Sequence, residues 1–403
     1  MTTRRNMPSI CLYLQTHQPL RLRNYTIFDI GENQDYFDEQ RNYDYLSRIV
    51  KKSYLPTNKM LLELVKKHNG KFKLALGLSG VLLEQLENDF PEVISDFQKL
   101  VKTGCCEILA ETYYHSLAYL YSPEEFKKQV NLHKQKIKKL FNYEPKVFRN
   151  TELMLSNEMA AMVEKMGFQA ILGEGADYIL QWRSPNFVYG IKGADKIKLL
   201  LRNYKLSDDI SFRFSCRDWA EWPLTADKFA AWVRAIDGSG EIVNLFMDYE
   251  TFGEHQWQET GIFEFLKKLP QEILNYPQNN FKTPQEVVKL YKPKAQLDFP
   301  NIVTWADTER DLSAWLGNKM QVSALKNLYS LEEKIKKQNN KKIIEQWRCL
   351  QTSDHFYYMC VKWFSDGDVH KYFSPYDSPY DGFINFMNVF QDLKMRLENS
   401  PKV

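Results

Sequence analysis

Short apolar runs alternate with longer amphipathic segments through the first two thirds of this chain, and this alternation limits the possible folds more than any other feature. The apolar runs have the length of buried strands, whereas the segments between them carry apolar residues at helical spacing. Strands that alternate with helices form βα units with a mostly parallel sheet. The predicted strands are residues 8–15, 72–78, 105–109, 146–150, 169–172, 197–201 and 242–248. Seven strands of this kind indicate an α/β barrel.

The intervening and C-terminal segments show helix signals. Helices are predicted at residues 60–67, 124–140 and 157–166, and Gly167 after the last is a typical helix stop. Lysine-rich segments with helical apolar spacing follow in the last third, and they predict a helical C-terminal part over residues 321–337, 340–350 and 382–397. The proline-broken stretch 277–300 is predicted as a linker or a loop that crosses back over the barrel.

Length and composition bound the class of protein. A chain of 403 residues exceeds the usual size of one core, so we expect two domains, residues 1–265 and 266–403. The net charge of +3, from 54 basic and 51 acidic residues, gives no reason to expect nucleic acid or an acidic partner. We expect neither a signal peptide nor a membrane span.

The cysteines indicate a reducing compartment. The six include one adjacent pair and no CxxC motif, so neither a disulfide framework nor a zinc site is expected, and no EF-hand-like loop is present. The prediction is therefore a cytoplasmic protein without a cofactor. The cysteines are Cys11, Cys105, Cys106, Cys216, Cys349 and Cys360.

Polar side chains cluster where several predicted strands end. His17 follows the first strand, the segment 107–115 the third, the segment 149–152 the fourth, and Asp248 ends the seventh. In α/β barrels the carboxyl ends of the strands carry the loops that bind and transform substrates. If these ends converge, Glu152 and Asp248 form a carboxylate pair, which is the minimum equipment for cleaving a glycosidic bond.

Each of these residues also has a purely structural interpretation. A single carboxylate at a strand end is more often a helix cap or a solvated charge, so the functional argument needs the pair. His17 is as easily a hydrogen-bonded core histidine, and His255 a surface residue. Arg149 would favour the ionised form of Glu152, or it forms a strand-end salt bridge.

Several tryptophans lie in loop-like sequence and have two interpretations. Trp219 and Trp222 fall outside any periodic core pattern, and an aromatic face in a cleft can stack on the apolar face of a sugar ring. Packing beneath a loop is the alternative. Trp257, Trp305 and Trp315 carry the same ambiguity, and Trp305 lies two residues before Asp307.

Five segments resemble, in order and spacing, the five sequence regions of glycoside hydrolase family 57. These are residues 17–19 (HQP), 106–115, 148–152, 246–253 and 304–308. The resemblance spans residues 8–318, and the segments 353–359 and 363–368 are also similar to archaeal-type α-amylases of the family.

This resemblance implies an incomplete (β/α)7 TIM-like barrel with a C-terminal α-helical domain that contributes to the substrate cleft. It implies a retaining glycoside hydrolase, an α-amylase acting on α-1,4-glucans or maltooligosaccharides. Glu152 matches the nucleophile and Asp248 the general acid/base, while His17 matches a histidine that contacts sugar hydroxyls. Asp307 matches the aspartate of the fifth region.

The second region departs from many relatives at residues 110–112, and it leaves open whether Glu111 or His115 binds substrate. Three alternative functions also remain open. A 4-α-glucanotransferase or branching enzyme would use the same pair and shield it from water, for which Trp219, Trp222 and Trp257 are candidates. The second alternative is a metal-dependent carbohydrate hydrolase or deacetylase, for which His17, Asp248 and His255 would supply the metal ligands. The third is a non-catalytic glucan-binding protein.

Overall fold

The strands of the protein form two sheets, and the helices cover them. The structure is a computed structural model that describes residues 8–236, 238–362 and 369–399. The strands are β1 (Ser9–Thr16), β2 (Leu74–Leu78), β3 (Cys106–Ile108), β4 (Val147–Phe148), β5 (Ala170–Glu174), β6 (Val188–Ile191), β7 (Ala194–Arg202), β8 (Ile242–Asp248), β9 (Asn280–Phe281) and β10 (Gln296–Leu297).

Helices follow most of the strands and dominate the C-terminal third. They are α1 (Glu39–Ile49), α2 (Leu55–Lys67), α3 (Gly80–Asp89), α4 (Pro91–Lys102), α5 (Pro123–Phe141), α6 (Asn157–Lys165), α7 (Asp177–Leu180), α8 (Tyr204–Ser211), α9 (Ala226–Arg234), α10 (Ile262–Leu274), α11 (Pro284–Leu290), α12 (Ser313–Leu316), α13 (Lys319–Ser330), α14 (Glu332–Gln338), α15 (Lys341–Cys349), α16 (Ser353–Tyr357), α17 (Val369–Phe373) and α18 (Pro379–Asn399). None of the helices in the described ranges is long and apolar enough to cross a membrane.

The first sheet has the order β3-β2-β1-β8, with β9 also paired to β1, and all its pairings are parallel. The second has the order β10-β6-β7-β5-β4 and is parallel except for the antiparallel pair β6 and β7. All seven predicted strands are present, as β1 to β5, β7 and β8. Three short strands, β6, β9 and β10, were not predicted.

Hydrogen bonds join the two sheets at both ends. Next to β3, the amide of Ala110 donates to Val147 (2.9 Å) and its carbonyl accepts from the Arg149 amide (2.9 Å). Between β7 and β8, the amide of Asn203 donates to the Asn244 carbonyl (2.9 Å). The seven predicted strands are therefore consecutive neighbours, and because they run parallel, their carboxyl ends open on one face.

Side chains alternate between two environments along the strands, as the two-residue period of a strand requires. In β1, Cys11 and Tyr13 point into an apolar cluster between the sheets. Ile10, Leu12 and Leu14 pack outward against the surrounding helices. The second sheet shares a different cluster with the C-terminal helices, so these helices are fixed against the strands. Deleting one of these buried leucine side chains would cost about 2–5 kcal/mol.

The predicted helices are confirmed with shifted ends. α5 begins after Ser122, whose hydroxyl accepts from the Glu125 amide (3.1 Å), and it ends at Asn142 in the left-handed region (φ 50°). The predicted helix 321–337 is two helices, α13 and α14, which divide at Leu331.

The interpretation of residues 277–300 as a linker or loop was wrong, because this stretch contains β9, α11 and β10. Thr283 and Glu286 form a capping box that starts α11. The predicted domain boundary at residues 265 and 266 falls inside α10, whose apolar face packs in the cluster around the first sheet.

Candidate active site

Glu152 stands just beyond β4 in an uncommon backbone conformation. Its φ and ψ are 56° and 27°, in the left-handed region that costs a non-glycine residue about 1–2 kcal/mol. The backbone amide of Trp305 donates to its carbonyl oxygen (3.2 Å). On the carboxylate, Oε1 is hydrogen-bonded to His115 Nε2 (2.9 Å) and Oε2 accepts from Trp305 Nε1 (2.7 Å). The side chain is 21% exposed, so it remains open to a ligand.

The surroundings of Glu152 favour its charged form. Burial acts to raise the pKa of this carboxyl, but the hydrogen bond and charge of His115, together with the charge of Arg149, hold the pKa below 4.5. Glu152 is therefore a carboxylate at neutral pH.

Asp248 has the opposite electrostatic environment. It is the last residue of β8 and lies opposite Gln15 of β1 in the sheet register. Burial and then the negative charge of Glu152 raise the pKa of its carboxyl from 3.8 to about 6. The two carboxyl groups thus differ in protonation over a range of mildly acidic pH. Two carboxyl groups whose pKa values are pushed apart are the arrangement of an acid and an anionic nucleophile.

His115 links Glu152 to a second buried carboxylate. Its Nδ1 is 3.2 Å from Glu111 Oε2, and Glu111 also accepts from Gln15 Nε2 (3.1 and 3.2 Å). Burial opposes the charge of His115, but the hydrogen bonds to Glu111 and Glu152 raise the pKa of the imidazole to about 9. His115 therefore carries a proton on both ring nitrogens, and both of its hydrogen bonds are charge-assisted. Of the two candidates in the second region, His115 contacts Glu152 directly, whereas Glu111 is linked to Glu152 through His115.

His17 connects this network to the C-terminal helices. Its ring stacks on His115 with centroids 4.0 Å apart, and its Nδ1 lies 2.7 Å from Ser79 Oγ. Its Nε2 lies 3.1 Å from Asp354 Oδ2 in α16. Burial and the neighbouring His115 charge lower the pKa of His17, whereas Asp354 acts in the opposite direction. A residue 337 positions away in the chain thus orients the first-region histidine.

Two buried arginines surround Trp305. The guanidinium carbons of Arg149 and Arg202 lie over its ring at 5.0 and 5.6 Å from the centroid. Arg149 is fully buried, and its three guanidinium nitrogens make no hydrogen bond within the described ranges. Arg202 is held by Glu174 (3.2 Å) and by the Phe246 carbonyl (2.7 Å). Of these two charges, that of Arg149 favours the ionised form of Glu152.

Asp307 forms ion pairs with residues of the C-terminal part of the chain. It is 5% exposed, and it pairs with His370 Nε2 (2.9 Å) and Lys362 Nζ (3.2 Å). Burial acts to raise the pKa of the Asp307 carboxyl, but His370 and Lys362 together lower it. The segment 363–368, which contributed to the resemblance of the C-terminal tail, lies outside the described residues.

The remaining predicted binding residues are more scattered. His255 packs edge-on against Phe373, and burial lowers the pKa of its imidazole to about 4. Trp219 packs edge-to-face on Trp232, and Trp315 is a core residue. Among the tryptophans predicted to bind substrate, Trp222 at 44% and Trp257 at 59% are exposed and available to a ligand.

The metal-dependent alternative requires His17, Asp248 and His255 to converge. His17 instead contacts Ser79 and Asp354, and His255 packs against Phe373. Across the described ranges, no group of three histidine, cysteine or acidic residues is arranged to hold a metal ion.

Sequence reasoning missed several members of the network. Gln15 lies inside β1, and a polar residue in a mostly apolar strand was the signal that could have identified it. Asp354 lies in the segment 353–359, which was noted only for its resemblance to archaeal-type α-amylases. Glu250 was also missed. It is 4% exposed, accepts from the Tyr54 hydroxyl (2.5 Å), and burial followed by the charge of Asp248 raises its pKa to about 8.

An anionic carboxyl group and one with a raised pKa, both at the carboxyl ends of parallel strands, match the pair of carboxyl groups that most glycoside hydrolases use. The model of glycosyl hydrolase family 57 matches residues 11–300, and the chain belongs to this family.

Relatives with assigned names support this membership. A Methanocaldococcus jannaschii protein provisionally named α-amylase is 43% identical, and the match covers 96% of this chain and 84% of that protein. Alpha-amylase 1 of Dictyoglomus thermophilum is 22% identical over 74% of this chain and 41% of its own length.

Solved structures share the fold. The branching enzyme of Pyrococcus horikoshii superposes with a TM-score of 0.69 at 14% identity, covering 95% of this chain and 88% of that one. The 4-α-glucanotransferase of Thermococcus litoralis gives 0.64 at 18% identity, covering 87% of this chain and 56% of that one.

Proposed function

We propose that the protein is a retaining α-amylase that cleaves α-1,4-glucans, with Glu152 as nucleophile and Asp248 as general acid/base. The observation that carries this proposal is the opposite electrostatic bias of the two carboxyl groups: the pKa of Glu152 is lowered and that of Asp248 is raised to about 6. The name of the 43% identical relative supports the same substrate class.

In the first step, the Glu152 carboxylate attacks the anomeric carbon while Asp248 gives its proton to the departing glycosidic oxygen. The products are a glycosyl ester of Glu152 and a shortened glucan with a free hydroxyl. Esterification removes the negative charge of Glu152, which is the second largest cause of the raised pKa of Asp248. The pKa of Asp248 therefore falls, and its carboxyl group stays ionised, as a general base must be.

In the second step, ionised Asp248 takes a proton from water, and the resulting hydroxyl attacks the anomeric carbon. The ester bond to Glu152 breaks, and the sugar leaves with its original configuration. The charge of Glu152 returns and raises the pKa of Asp248 again, so the same electrostatic coupling serves both steps.

We also propose that the seven neighbouring strands form an incomplete (β/α)7 barrel and that the C-terminal helices form a domain that completes the cleft. The contacts of Asp354 with His17 support a role of this part at the site. His17 and Asp307 are proposed to bind the sugar nearest the cleavage point, and the exposed Trp222 and Trp257 more distant sugars. The six unpaired cysteines fit a reducing cytoplasm.

The test is product analysis by chromatography after incubation with maltoheptaose. Wild-type protein should yield only shorter maltooligosaccharides, and Glu152→Gln and Asp248→Asn should each lose the activity. Glu158→Gln and Asp195→Asn are matched controls, because both side chains are exposed. Longer products alongside shorter ones would identify a transferase instead, and retained activity in Glu152→Gln would refute the assignment of the nucleophile.

A further inference from the structure

We propose that Trp305 is a positioning residue that holds the carboxylate of Glu152 in its attacking orientation, and that it is not a platform on which a sugar ring stacks. This inference rests on the proposed role of Glu152 as nucleophile. It assigns a task to a residue that the sequence alone offered as a sugar-stacking tryptophan.

Trp305 contacts Glu152 at two separate places. Its backbone amide donates to the Glu152 carbonyl (3.2 Å), and its indole Nε1 donates to Oε2 of the carboxylate (2.7 Å). The first contact supports the left-handed backbone at Glu152, and the second fixes the end of the side chain. Strained backbone conformations persist only where the surroundings hold them. Trp305 holds both the backbone carbonyl and the side-chain carboxylate of Glu152.

His115 completes the constraint from the other side. Its Nε2 binds Oε1 of Glu152 (2.9 Å), while the indole binds Oε2. Because each carboxylate oxygen has its own donor, rotation of the group about its last bond would break both hydrogen bonds. A nucleophile held in this way needs less reorganisation when the anomeric carbon arrives.

The surroundings of the indole ring argue against sugar stacking. Arg149 and Arg202 already lie over the ring, at 5.0 and 5.6 Å from its centroid. Arg202 is itself anchored by the Phe246 carbonyl (2.7 Å). Two buried guanidinium groups against an aromatic ring leave less of its surface for a sugar.

Trp305→Phe is the most direct test, because it keeps an aromatic ring and the backbone amide but removes the indole N–H. We expect kcat on maltoheptaose to fall by about 10- to 100-fold, as for loss of a hydrogen bond to a charged group, with KM within about threefold of wild type. The acidic limb of the kcat/KM profile should move to higher pH, because the donor that favours ionised Glu152 is gone. Trp182→Phe is the matched control, since Trp182 is 83% exposed.

A second variant guards against a simple loss of packing at this position. Benzothienylalanine introduced at residue 305 has nearly the shape of tryptophan but no N–H, and the same fall in kcat and the same pH shift are expected. Thermal melting of each variant checks that the fold is kept.

A binding measurement separates positioning from stacking. In the Glu152→Gln background, Trp305→Leu, which removes the aromatic face, should leave the calorimetric affinity for maltoheptaose unchanged within about threefold. A kcat close to that of wild type, an unmoved acidic limb, or a large loss of affinity would overturn the inference. Retained activity in Glu152→Gln alone would instead refute the proposed function, so the two failures are distinguishable.

Discussion

The coupling between the two carboxyl groups predicts that removal of the Glu152 charge lowers the pKa of Asp248. Burial and then Glu152 raise this pKa from 3.8 to about 6, whereas Arg149 acts in the opposite direction. A rise of this size corresponds to about 3 kcal/mol of preference for the protonated form. In Glu152→Gln the burial contribution remains and the charge contribution is lost, so we expect the pKa to fall by on the order of one unit, or about 1.4 kcal/mol.

The assay is a carbon NMR titration of protein labelled at the aspartate carboxyl carbons. The Asp248 resonance is assigned by its absence from the spectrum of Asp248→Asn. Wild-type protein should show a midpoint near 6 for this group, and Glu152→Gln a lower midpoint. Equal midpoints in the two proteins, or a wild-type midpoint near 3.8, would refute the electrostatic argument.

The same values predict the pH dependence of catalysis. The lowered pKa of Glu152 keeps the nucleophile ionised at pH 4.5 and above, and the raised pKa of Asp248 keeps the acid protonated up to about pH 6. The profile of kcat/KM should therefore have its acidic limb below 4.5 and its basic limb near 6. Full activity that persists to high pH would contradict this assignment.

Three further changes have directions fixed by the structure. His115→Gln removes the cation beside Glu152, so kcat should fall by about 10-fold or more and the acidic limb should move to higher pH, as measured by initial rates. Gly77→Ala would place a Cβ against two side-chain oxygens of β1 that belong to the buried network, and it should cost about 1–3 kcal/mol in denaturant unfolding. Asp307→Asn breaks the buried pair with His370 and should destabilise by on the order of 3 kcal/mol. Burial lowers the pKa of His370, but Asp307 and Cys360 raise it to about 9, so the difference in Tm should be largest below pH 6.5 and should shrink as pH rises through 9, to the part that the Lys362 pair contributes.

Much of the fold was predictable because local sequence determines it. The strands of five or more residues contain apolar runs, and α5 has clear helical spacing with a serine cap. The strands β9 and β10 have two residues each, too short for any periodic signal, and they exist because they pair with β1 and β6. The helix α11 was readable from Thr283 and Glu286, but the prolines on either side favoured a loop interpretation.

The candidate site was predictable as a set of strand ends but not as a network. Parallel strands bring their carboxyl ends together, so His17, Glu152 and Asp248 were expected on one face. The partner of His17 is Asp354, which lies 337 residues away and reaches it only through packing of the C-terminal helices. The sequence offered Trp305 as a candidate for sugar stacking, but its hydrogen bond to Glu152 depends on a loop path that no local pattern specifies.

The most direct test of the central claim, that Glu152 attacks the sugar and Asp248 first protonates the leaving oxygen, is proton NMR of the anomeric signals during the first minutes of maltoheptaose cleavage. Double displacement predicts that the new reducing ends appear first in the α configuration and then mutarotate, and that neither Glu152→Gln nor Asp248→Asn produces them. New reducing ends that appear first in the β configuration would show inversion and would contradict a covalent Glu152 intermediate.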